Sequence, residues 1–223
     1  MKAIVNFSTH EYAKGQNRLR ESLKGRTDAD FLGFTSYSEV RSPTQQDNPY
    51  AFKVYSIEKA LKMGYDQILW LDSSAYAVGD VDKIFHLIRR NGHFMEEAGH
   101  PASSWTNDRT LAYHGITRDE AQEIQLYSAG FTGLNFNNEI TVTFFELWKQ
   151  SMIDGMFRGN WNNINKSESE DIRCEGHRHD MSNASIIANK LNMKYERCGK
   201  YFQYAAPSDK PNQPTVVFYA QGI

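Results

Sequence analysis

The most regular pattern in the chain lies before its middle, where an amphipathic stretch, an apolar run and a second amphipathic stretch follow one another. Apolar side chains recur at helical spacing over residues 50–63, and Gly64 follows, a residue typical of helix ends. Residues 67–71 form an almost continuous apolar run, which is typical of a strand buried on both faces of a parallel sheet. Residues 82–90 return to helical spacing. Helix, strand and helix in this order predict a right-handed, doubly wound arrangement.

Apolar patterns of the same kinds recur along the rest of the chain and predict the remaining elements. The predicted strands lie at residues 2–8, 31–37, 93–98, 126–136, 194–204 and 215–219. The predicted helices lie at residues 12–23, 119–123, 139–153 and 181–191, and the polar stretch 159–173 predicts a mobile surface loop. The sequence therefore predicts one α/β domain over residues 1–223, with a mixed, mostly parallel sheet flanked by helices in a Rossmann-like arrangement.

Composition narrows the class of protein. Of the 223 residues, 40% are hydrophobic and 23% are charged, as in ordinary globular proteins, and the formal net charge is −2, so neither disorder nor nucleic-acid binding is expected. No apolar run approaches the ~20 residues that a membrane span needs. The two cysteines, Cys174 and Cys198, could pair but need not. Because the first residues predict a strand and not a signal peptide, we expect a cytoplasmic protein with reduced thiols.

Asp72 stands directly after the apolar run, at the strand end where open α/β sheets bind their ligands. A carboxylate there can hold a hard divalent cation, which in turn can neutralise a pyrophosphate leaving group. The alternative is a loop aspartate that caps a turn through its side chain. The apolar run before Asp72 and the predicted helix soon after it favour the first interpretation.

The segment around Asp72 resembles the Asp-X-Asp segment of GT-A glycosyltransferases. The similarity is carried by Ile68-Leu69-Trp70-Leu71-Asp72-Ser73-Ser74 and then by Val81-Asp82-Lys83-Ile84-Phe85. Asp72 matches the first acidic position and is the metal ligand that the resemblance implies, whereas Ser74 replaces the second acidic residue in the substrate-binding region. The resemblance implies a GT-A fold, a nucleotide-diphosphate sugar as donor, a glycan or other hydroxyl as acceptor, and Mn²⁺ or Mg²⁺ as cofactor.

Two other segments provide candidate substrate-binding residues. Tyr50 and Lys53 open the helix before the Asp72 strand, which in this family often lies beside the donor nucleotide. Tyr50 could stack on a base and Lys53 could neutralise phosphate, but a helix start with a surface lysine explains both equally well. Ser128 and Gly130 lie in a strand that resembles the family's later strand, where small residues let the sugars approach the backbone. A strand bulge is the alternative.

Residues 174–180 hold a dense group of reactive side chains whose spacing does not suit zinc. His179-Asp180-Met181-Ser182 resembles a segment near the reaction centre of several GT-A enzymes, which implies catalytic roles for Asp180 and His179. Asp180 could instead cap the following helix, and the histidines could be surface residues. Gln221-Gly222 stands in something like the place of the family's C-terminal His-X-Gly segment, without the histidine.

Three functions follow from these residues. The first is a hexosyltransferase-like enzyme, in which Asp180 is the base if transfer inverts the anomeric centre and positions the acceptor if it retains it. The second is a GT-A-like protein that binds a nucleotide or glycan without turnover, which the replacements at Ser74 and Gln221 favour. The third is a nucleotidyltransferase, which needs a glycine-rich basic loop that Phe7-Ser8-Thr9-His10 does not supply. We expect no nucleic-acid partner and no membrane span.

Overall fold

The computed structural model describes residues 1–204 and 215–222. Its strands are β1 (Lys2–Phe7), β2 (Asp30–Phe34), β3 (Gln67–Leu71), β4 (Ala75–Ala77), β5 (His93–Phe94), β6 (Glu97–Pro101), β7 (Gln125–Tyr127), β8 (Phe131–Asn135), β9 (Phe202–Tyr204) and β10 (Phe218–Ala220). Its helices are α1 (Ala13–Ser22), α2 (Tyr37–Val40), α3 (Ala51–Lys62), α4 (Asp82–Asn91), α5 (Asp108–Tyr113), α6 (Arg118–Gln122), α7 (Glu139–Ile153) and α8 (His179–Lys190).

Five strands form the main sheet in the order β2-β1-β3-β8-β5. β1 pairs in parallel with β2 and β3, whereas β8 runs antiparallel to β3 and to β5. The predicted α/β class and the mixed sheet flanked by helices are confirmed. The sheet is parallel in its β2-β1-β3 half, so the prediction of a mostly parallel sheet holds for that half alone.

Both faces of the main sheet are covered, as the apolar run at residues 67–71 predicts. Ile68 and Trp70 of β3 belong to one hydrophobic cluster, together with side chains of α3, α7 and α8. Leu69 and Leu71 belong to another cluster on the opposite face, together with side chains of α1 and α4. Because successive side chains of a strand point to opposite faces, a strand buried on both sides needs an unbroken apolar run. Leu69→Ala would lower the free energy of unfolding by about 2–5 kcal/mol.

Two smaller sheets lie outside the main sheet, one formed by β4, β10 and β9 and the other by β6 and β7. The single strand predicted at residues 126–136 is divided into β7 and β8, which belong to different sheets. Residues 128–130 form the turn between them. β10 pairs antiparallel with β4 and brings residues 218–220 beside residues 75–77, directly after the Asp72 loop.

Element boundaries differ most from prediction where strands are short. The predicted strand at 194–204 is strand only at its end, in β9, and the strand predicted at 31–37 ends at Phe34, three residues before α2 begins. The main helices begin and end within two residues of their predicted limits. Cys174 is buried, Cys198 is exposed, and both are free thiols. Of the helices in the described part of the chain, none is long and apolar enough to span a membrane.

Candidate functional site

Two adjoining cavities open at the carboxyl ends of β1, β2 and β3. The larger cavity, of about 360 Å³, is lined by residues that follow these strands, among them Tyr37 and Asp72. The smaller cavity, of about 130 Å³, lies between the Asp72 loop, the turn at residues 128–130 and the start of α8. Tyr50, Asp72 and Ser74 line both cavities. This is the edge at which open α/β sheets bind ligands.

Aromatic side chains form much of the wall of the larger cavity. Phe7 stacks on Phe52 with ring centroids 4.7 Å apart, and the ring of Tyr37 lies 5.0 Å from that of Phe7. Tyr12, at the same cavity, is 52% exposed. Ser8 is buried at the wall, and among the described residues its Oγ finds no hydrogen-bond partner. A buried hydroxyl without a partner costs about 1–3 kcal/mol, so a ligand that bonds to Ser8 would recover that free energy.

In the smaller cavity one ammonium group contacts two carboxylates. Lys53 Nζ lies 2.9 Å from Asp180 Oδ2 and 3.3 Å from Asp72 Oδ1, and it donates a hydrogen bond of 3.1 Å to the carbonyl oxygen of Ala129. The side chains of Lys53 and Asp180 are buried, whereas 37% of the Asp72 side chain is exposed. With all three groups ionised, this ion cluster has one negative charge in excess.

Burial and charge together set the protonation states around the ion cluster. Burial alone lowers the pKa of Lys53, but the carboxylates of Asp180 and Asp72 more than offset this and raise it. Burial raises the pKa of Asp180, and Lys53 offsets only part of that rise. Burial and the nearby Asp180 raise the pKa of Tyr50 to about 12. At neutral pH Lys53 is therefore charged, Tyr50 is a neutral hydroxyl, and Asp180 is a stronger proton acceptor than a free aspartate.

Strained backbone places both buried members of the ion cluster. Tyr50, which precedes α3, has φ of 59°, and His179, the first residue of α8, has φ of 49°. A left-handed conformation at a residue other than glycine costs on the order of 1–3 kcal/mol. Lys53 lies in the first turn after Tyr50, and Asp180 follows His179 directly. The N-cap of α8 is Arg178, so helix capping does not account for Asp180.

Asp72 is held in place through both its carboxylate and its backbone N–H. Trp70 Nε1 donates a hydrogen bond of 2.8 Å to Asp72 Oδ1, and the Asp72 N–H donates one of 2.9 Å to the Gly130 carbonyl. A Cβ atom at residue 130 would lie 2.9 Å from Asp72 Oδ2, so the turn can pack this closely only with glycine there. The N–H of Ser128, in the same turn, donates to the carbonyl of Glu96. Ser128 and Gly130 therefore form a turn at the cavity wall.

Ser74 joins distant parts of the chain. Its carbonyl accepts hydrogen bonds from the Gln221 N–H at 3.0 Å and from Arg18 Nη2 at 2.7 Å. Arg18 Nη2 also donates to the Gln221 carbonyl at 3.1 Å, and Gly222 lines the larger cavity. The resemblance implied that Gln221-Gly222 would lie near Asp72, and the structure places both residues beside that loop.

The structure brings most of the predicted site residues to one cavity. The residues that line the smaller cavity include Tyr50, Lys53, Asp72, Ser74, Ser128, Gly130 and Asp180. His179 is packed beside this group, with its ring centroid 5.3 Å from that of Tyr50 and 5.9 Å from that of Trp161. Burial lowers the pKa of His179. The ring is therefore neutral, and Nδ1 lies 2.8 Å from the Phe157 carbonyl oxygen, which suits an Nδ1–H donor.

Six residues that line the smaller cavity were not predicted as site residues, and three of them have large polar or aromatic side chains: Trp161, Arg178 and Tyr204. The Arg178 guanidinium lies between two indole rings, 3.4 Å from the ring centroid of Trp105 and 3.8 Å from that of Trp161. Such contacts hold a cation in place through the faces of the rings. Arg178 directly precedes the His179-Asp180 pair, so its position in the sequence could have identified it as a site residue. Trp161 and Tyr204 have no comparable signal.

A buried carboxylate anchors the segment that carries Trp161. Glu168 accepts hydrogen bonds of 2.8 Å from Asn107 Nδ2 and from both the N–H and the Nδ2 of Asn160. Residues 159–173, which the sequence predicts to be a surface loop, therefore include buried polar contacts. These contacts fix Trp161 at the smaller cavity.

The side chains around Asp72 do not fit a resident Mn²⁺ or Mg²⁺ ion. Asp72 Oδ1 already accepts from Trp70 and contacts Lys53, the Asp180 carboxylate contacts the same ammonium, and Ser74 offers a neutral hydroxyl. In the described residues no three His, Cys, Asp or Glu side chains are grouped so that they could hold a metal. Hard cations need several oxygen ligands, and a neighbouring ammonium opposes their binding by charge.

Comparison of the chain with protein-family models and with curated proteins found no match. The resemblance to GT-A glycosyltransferases therefore depends on the motifs around Asp72 and Asp180. In the structure these two residues meet at one ammonium group.

Proposed function

We propose that this chain is a GT-A type glycosyltransferase that moves a sugar from a nucleotide-diphosphate donor to an acceptor hydroxyl. One observation carries the proposal: two cavities of different chemistry meet at Asp72, at the carboxyl ends of the parallel strands. An enzyme of this class needs one compartment for a nucleotide and another for the reacting sugar and its acceptor. The paired carboxylates of Asp72 and Asp180 lie in the second compartment.

The larger cavity suits the nucleoside of the donor. Its walls include the rings of Tyr12, Tyr37 and Phe52. Aromatic rings can stack on any nucleotide base. The unpartnered hydroxyl of Ser8 offers a hydrogen bond to a ribose hydroxyl or to a base edge. The diphosphate would then reach the boundary between the cavities, at Tyr50 and Ser74.

The smaller cavity suits the reacting centre. If transfer inverts the anomeric carbon, the acceptor oxygen forms its bond to that carbon, its proton goes to Asp180, and the diphosphate leaves with the electrons of the broken bond. The raised pKa of Asp180 makes it a suitable acceptor for that proton. If transfer retains the configuration, Asp180 positions the acceptor through the same contacts. In both cases Lys53 keeps the Asp180 side chain in one orientation.

A second candidate is a binding protein that holds a sugar nucleotide without turnover. The contact of Lys53 with both carboxylates favours it, because an ammonium that stays bound to Asp180 competes with proton transfer to that group. Binding would depend on the larger cavity in either case. The two functions therefore differ only in what happens after the donor binds.

A panel of sugar nucleotides tests the proposal. We expect at least one of them to raise the melting temperature, because a ligand that binds the native state alone stabilises it. The same donor should be hydrolysed slowly and transferred faster once an acceptor is added. Asp72→Asn should suppress both rates, whereas Asp119→Asn, at a side chain that is 84% exposed, is the matched control. Stabilisation without turnover would favour the binding protein, and no stabilisation by any member of the panel would contradict both functions.

A further inference from the structure

The Lys53 ammonium takes up the space in which a cation would bridge Asp72 and Asp180. An ammonium has three hydrogens to donate, and Lys53 Nζ has three oxygen neighbours: Asp180 Oδ2, Asp72 Oδ1 and the Ala129 carbonyl. Only 3% of the Lys53 side chain is exposed. The charge is also in contact with rings, since Nζ lies 5.1 Å from the ring centroid of Tyr50 and 5.8 Å from that of Trp70. The ammonium is therefore a fixed part of the protein.

Arg178 provides a second fixed cation at the same cavity. Arg178 is clamped between Trp105 and Trp161, and its Nη1 donates a hydrogen bond of 2.6 Å to the Trp161 carbonyl. Within the described residues, no carboxylate lies within 4.0 Å of the Arg178 guanidinium. Arg178 lines the smaller cavity with donors that an anionic ligand can use.

These two cations balance the two carboxylates of the cavity. Asp72 and Asp180 contribute two negative charges, and Lys53 and Arg178 contribute two positive ones. A diphosphate that enters next to this set meets no excess of negative charge, whereas Asp72 and Asp180 without Lys53 would repel it. In sites that use Mg²⁺, one or two carboxylates and the phosphates bind the metal, and its charge removes this repulsion.

We infer that the site binds its diphosphate ligand without a divalent cation, because Lys53 holds the place between Asp72 and Asp180 and Arg178 supplies the charge that faces the phosphates. The inference rests on the proposed function for the identity of the ligand as a nucleoside diphosphate derivative. The role assigned to Lys53 can be tested without any nucleotide.

The first experiment measures Mn²⁺ binding alone, from the decrease of the free-ion signal in electron paramagnetic resonance. Wild-type protein should leave that signal unchanged. Lys53→Met should decrease it, because two facing carboxylates that have lost their ammonium attract a divalent ion, and Lys53→Arg should restore wild-type behaviour. Stoichiometric Mn²⁺ binding by the wild type that Asp72→Asn abolishes would overturn the inference, as would a folded Lys53→Met variant that binds no Mn²⁺. If Lys53→Met does not fold, the wild-type measurement decides.

The second experiment measures the stabilisation of wild-type protein by uridine, guanosine, adenosine and cytidine diphosphates, in EDTA and in Mn²⁺. We expect the same shift of melting temperature in both conditions for the nucleotide that binds. A shift that requires Mn²⁺ would overturn the inference. If none of the four nucleotides gives a shift in either condition, the proposed function fails, and the Mn²⁺ measurement still decides the role of Lys53.

Arg178→Gln tests the second cation in the same assay. In EDTA it should weaken nucleoside diphosphate binding by roughly tenfold or more, because a hydrogen bond to a charged group is lost. Arg173→Gln, at an exposed arginine that pairs with Asp171 and Asp119, is the matched control and should bind as the wild type does. Unchanged affinity in Arg178→Gln would overturn the part assigned to Arg178.

Discussion

The larger cavity and the smaller cavity share Tyr50, Asp72 and Ser74 but differ in the number of charged side chains that line them. The larger one is walled by aromatic rings and lies against the parallel half of the sheet. The smaller one combines aromatic rings with four charged side chains, Lys53, Asp72, Arg178 and Asp180, which are positioned by turns, a strained helix start and a long loop. Rings give affinity that tolerates small displacements, whereas proton transfer needs charged groups at fixed distances. We therefore expect changes to the rings of the larger cavity to alter nucleotide binding and changes to Asp180 in the smaller cavity to alter rate, whereas Arg178 of the smaller cavity affects binding through the phosphates.

The largest expected effect is that of Asp180→Asn. The asparagine amide cannot take up the proton of the substrate hydroxyl. The rate of transfer should therefore fall by about 10²- to 10⁴-fold, the usual contribution of a general base. The melting-temperature shift given by the donor should remain, because the larger cavity is unchanged. Initial rates and thermal shifts measured on the same preparation check both statements. Parallel loss of donor binding and of rate would show that the two cavities are not separate in function.

The next effect is that of Tyr12→Ala, at the larger cavity. Loss of one stacking ring should weaken nucleotide binding by about tenfold, because stacking on an aromatic side chain contributes about 1–3 kcal/mol per base. Tyr12 is 52% exposed, so the fold should be unaffected. Titration calorimetry measures the affinity, and Tyr113→Ala, at a tyrosine that is 42% exposed and bonded to Asp154, is the control. A fall in the turnover number with unchanged affinity would reverse the assignment of the two cavities.

A smaller effect is expected for His179→Gln, which tests the catalytic role predicted for His179. Its Nδ1 lies at the Phe157 carbonyl and its ring packs against Tyr50 and Trp161, so we expect it to position Asp180. The turnover number should then fall by far less than the 10²-fold or more that removing a general base costs. Kinetics of this variant beside His177→Gln, at a second buried histidine, provide the comparison. A loss equal to that of Asp180→Asn would establish His179 as a catalytic residue.

The smallest effect concerns the support of the smaller cavity by Glu96. Its carboxylate accepts hydrogen bonds from the N–H groups of Gly199 and Tyr201, in the segment that leads to Tyr204. Burial raises the pKa of Glu96 from 4.5 to about 7. Between these values the folded chain keeps a proton that the unfolded chain has lost, so the contribution of Glu96 to stability falls as pH rises and levels off above pH 7.

Glu96→Gln should remove that dependence. The difference in melting temperature between the wild type and Glu96→Gln should therefore change between pH 4.5 and about 7 and stay constant at higher pH. Melting curves across this range measure it, with Glu97→Gln at the neighbouring half-buried residue as the control. A constant difference over the whole range would contradict the pKa assigned to Glu96.

The parallel half of the fold could be predicted because local patterns encode it. Residues 67–71 are apolar at every position that β3 buries, and Gly64 has the positive φ that ends α3. The antiparallel half could not be predicted to the same degree. Whether β8 runs parallel or antiparallel to β3 depends on the path of the intervening chain, and the alternation of side chains along the strand is the same in both cases.

The site shows the same division. Asp72 and Asp180 were predicted from motifs, but their meeting at Lys53 joins residues far apart in the chain. The sequence around Lys53 is equally typical of a surface lysine on a helix, so its burial could not be read from spacing. Trp161 lies in a polar stretch that also contains Glu168, whose buried carboxylate accepts hydrogen bonds from the exposed Asn160. Polar residues that serve as buried partners look like loop residues in a sequence.

The left-handed backbone at Tyr50 and His179 has a consequence for how this protein would respond to selection. Glycine would adopt both conformations without strain, so Tyr50→Gly and His179→Gly would relieve backbone strain at two of the non-glycine residues with positive φ. Each substitution would also remove a packed ring, the Tyr50 ring beside Lys53 or the buried His179 ring beside Tyr50. Because the loss of a packed ring costs more than this strain, selection for heat resistance alone would keep both residues and the site that they frame.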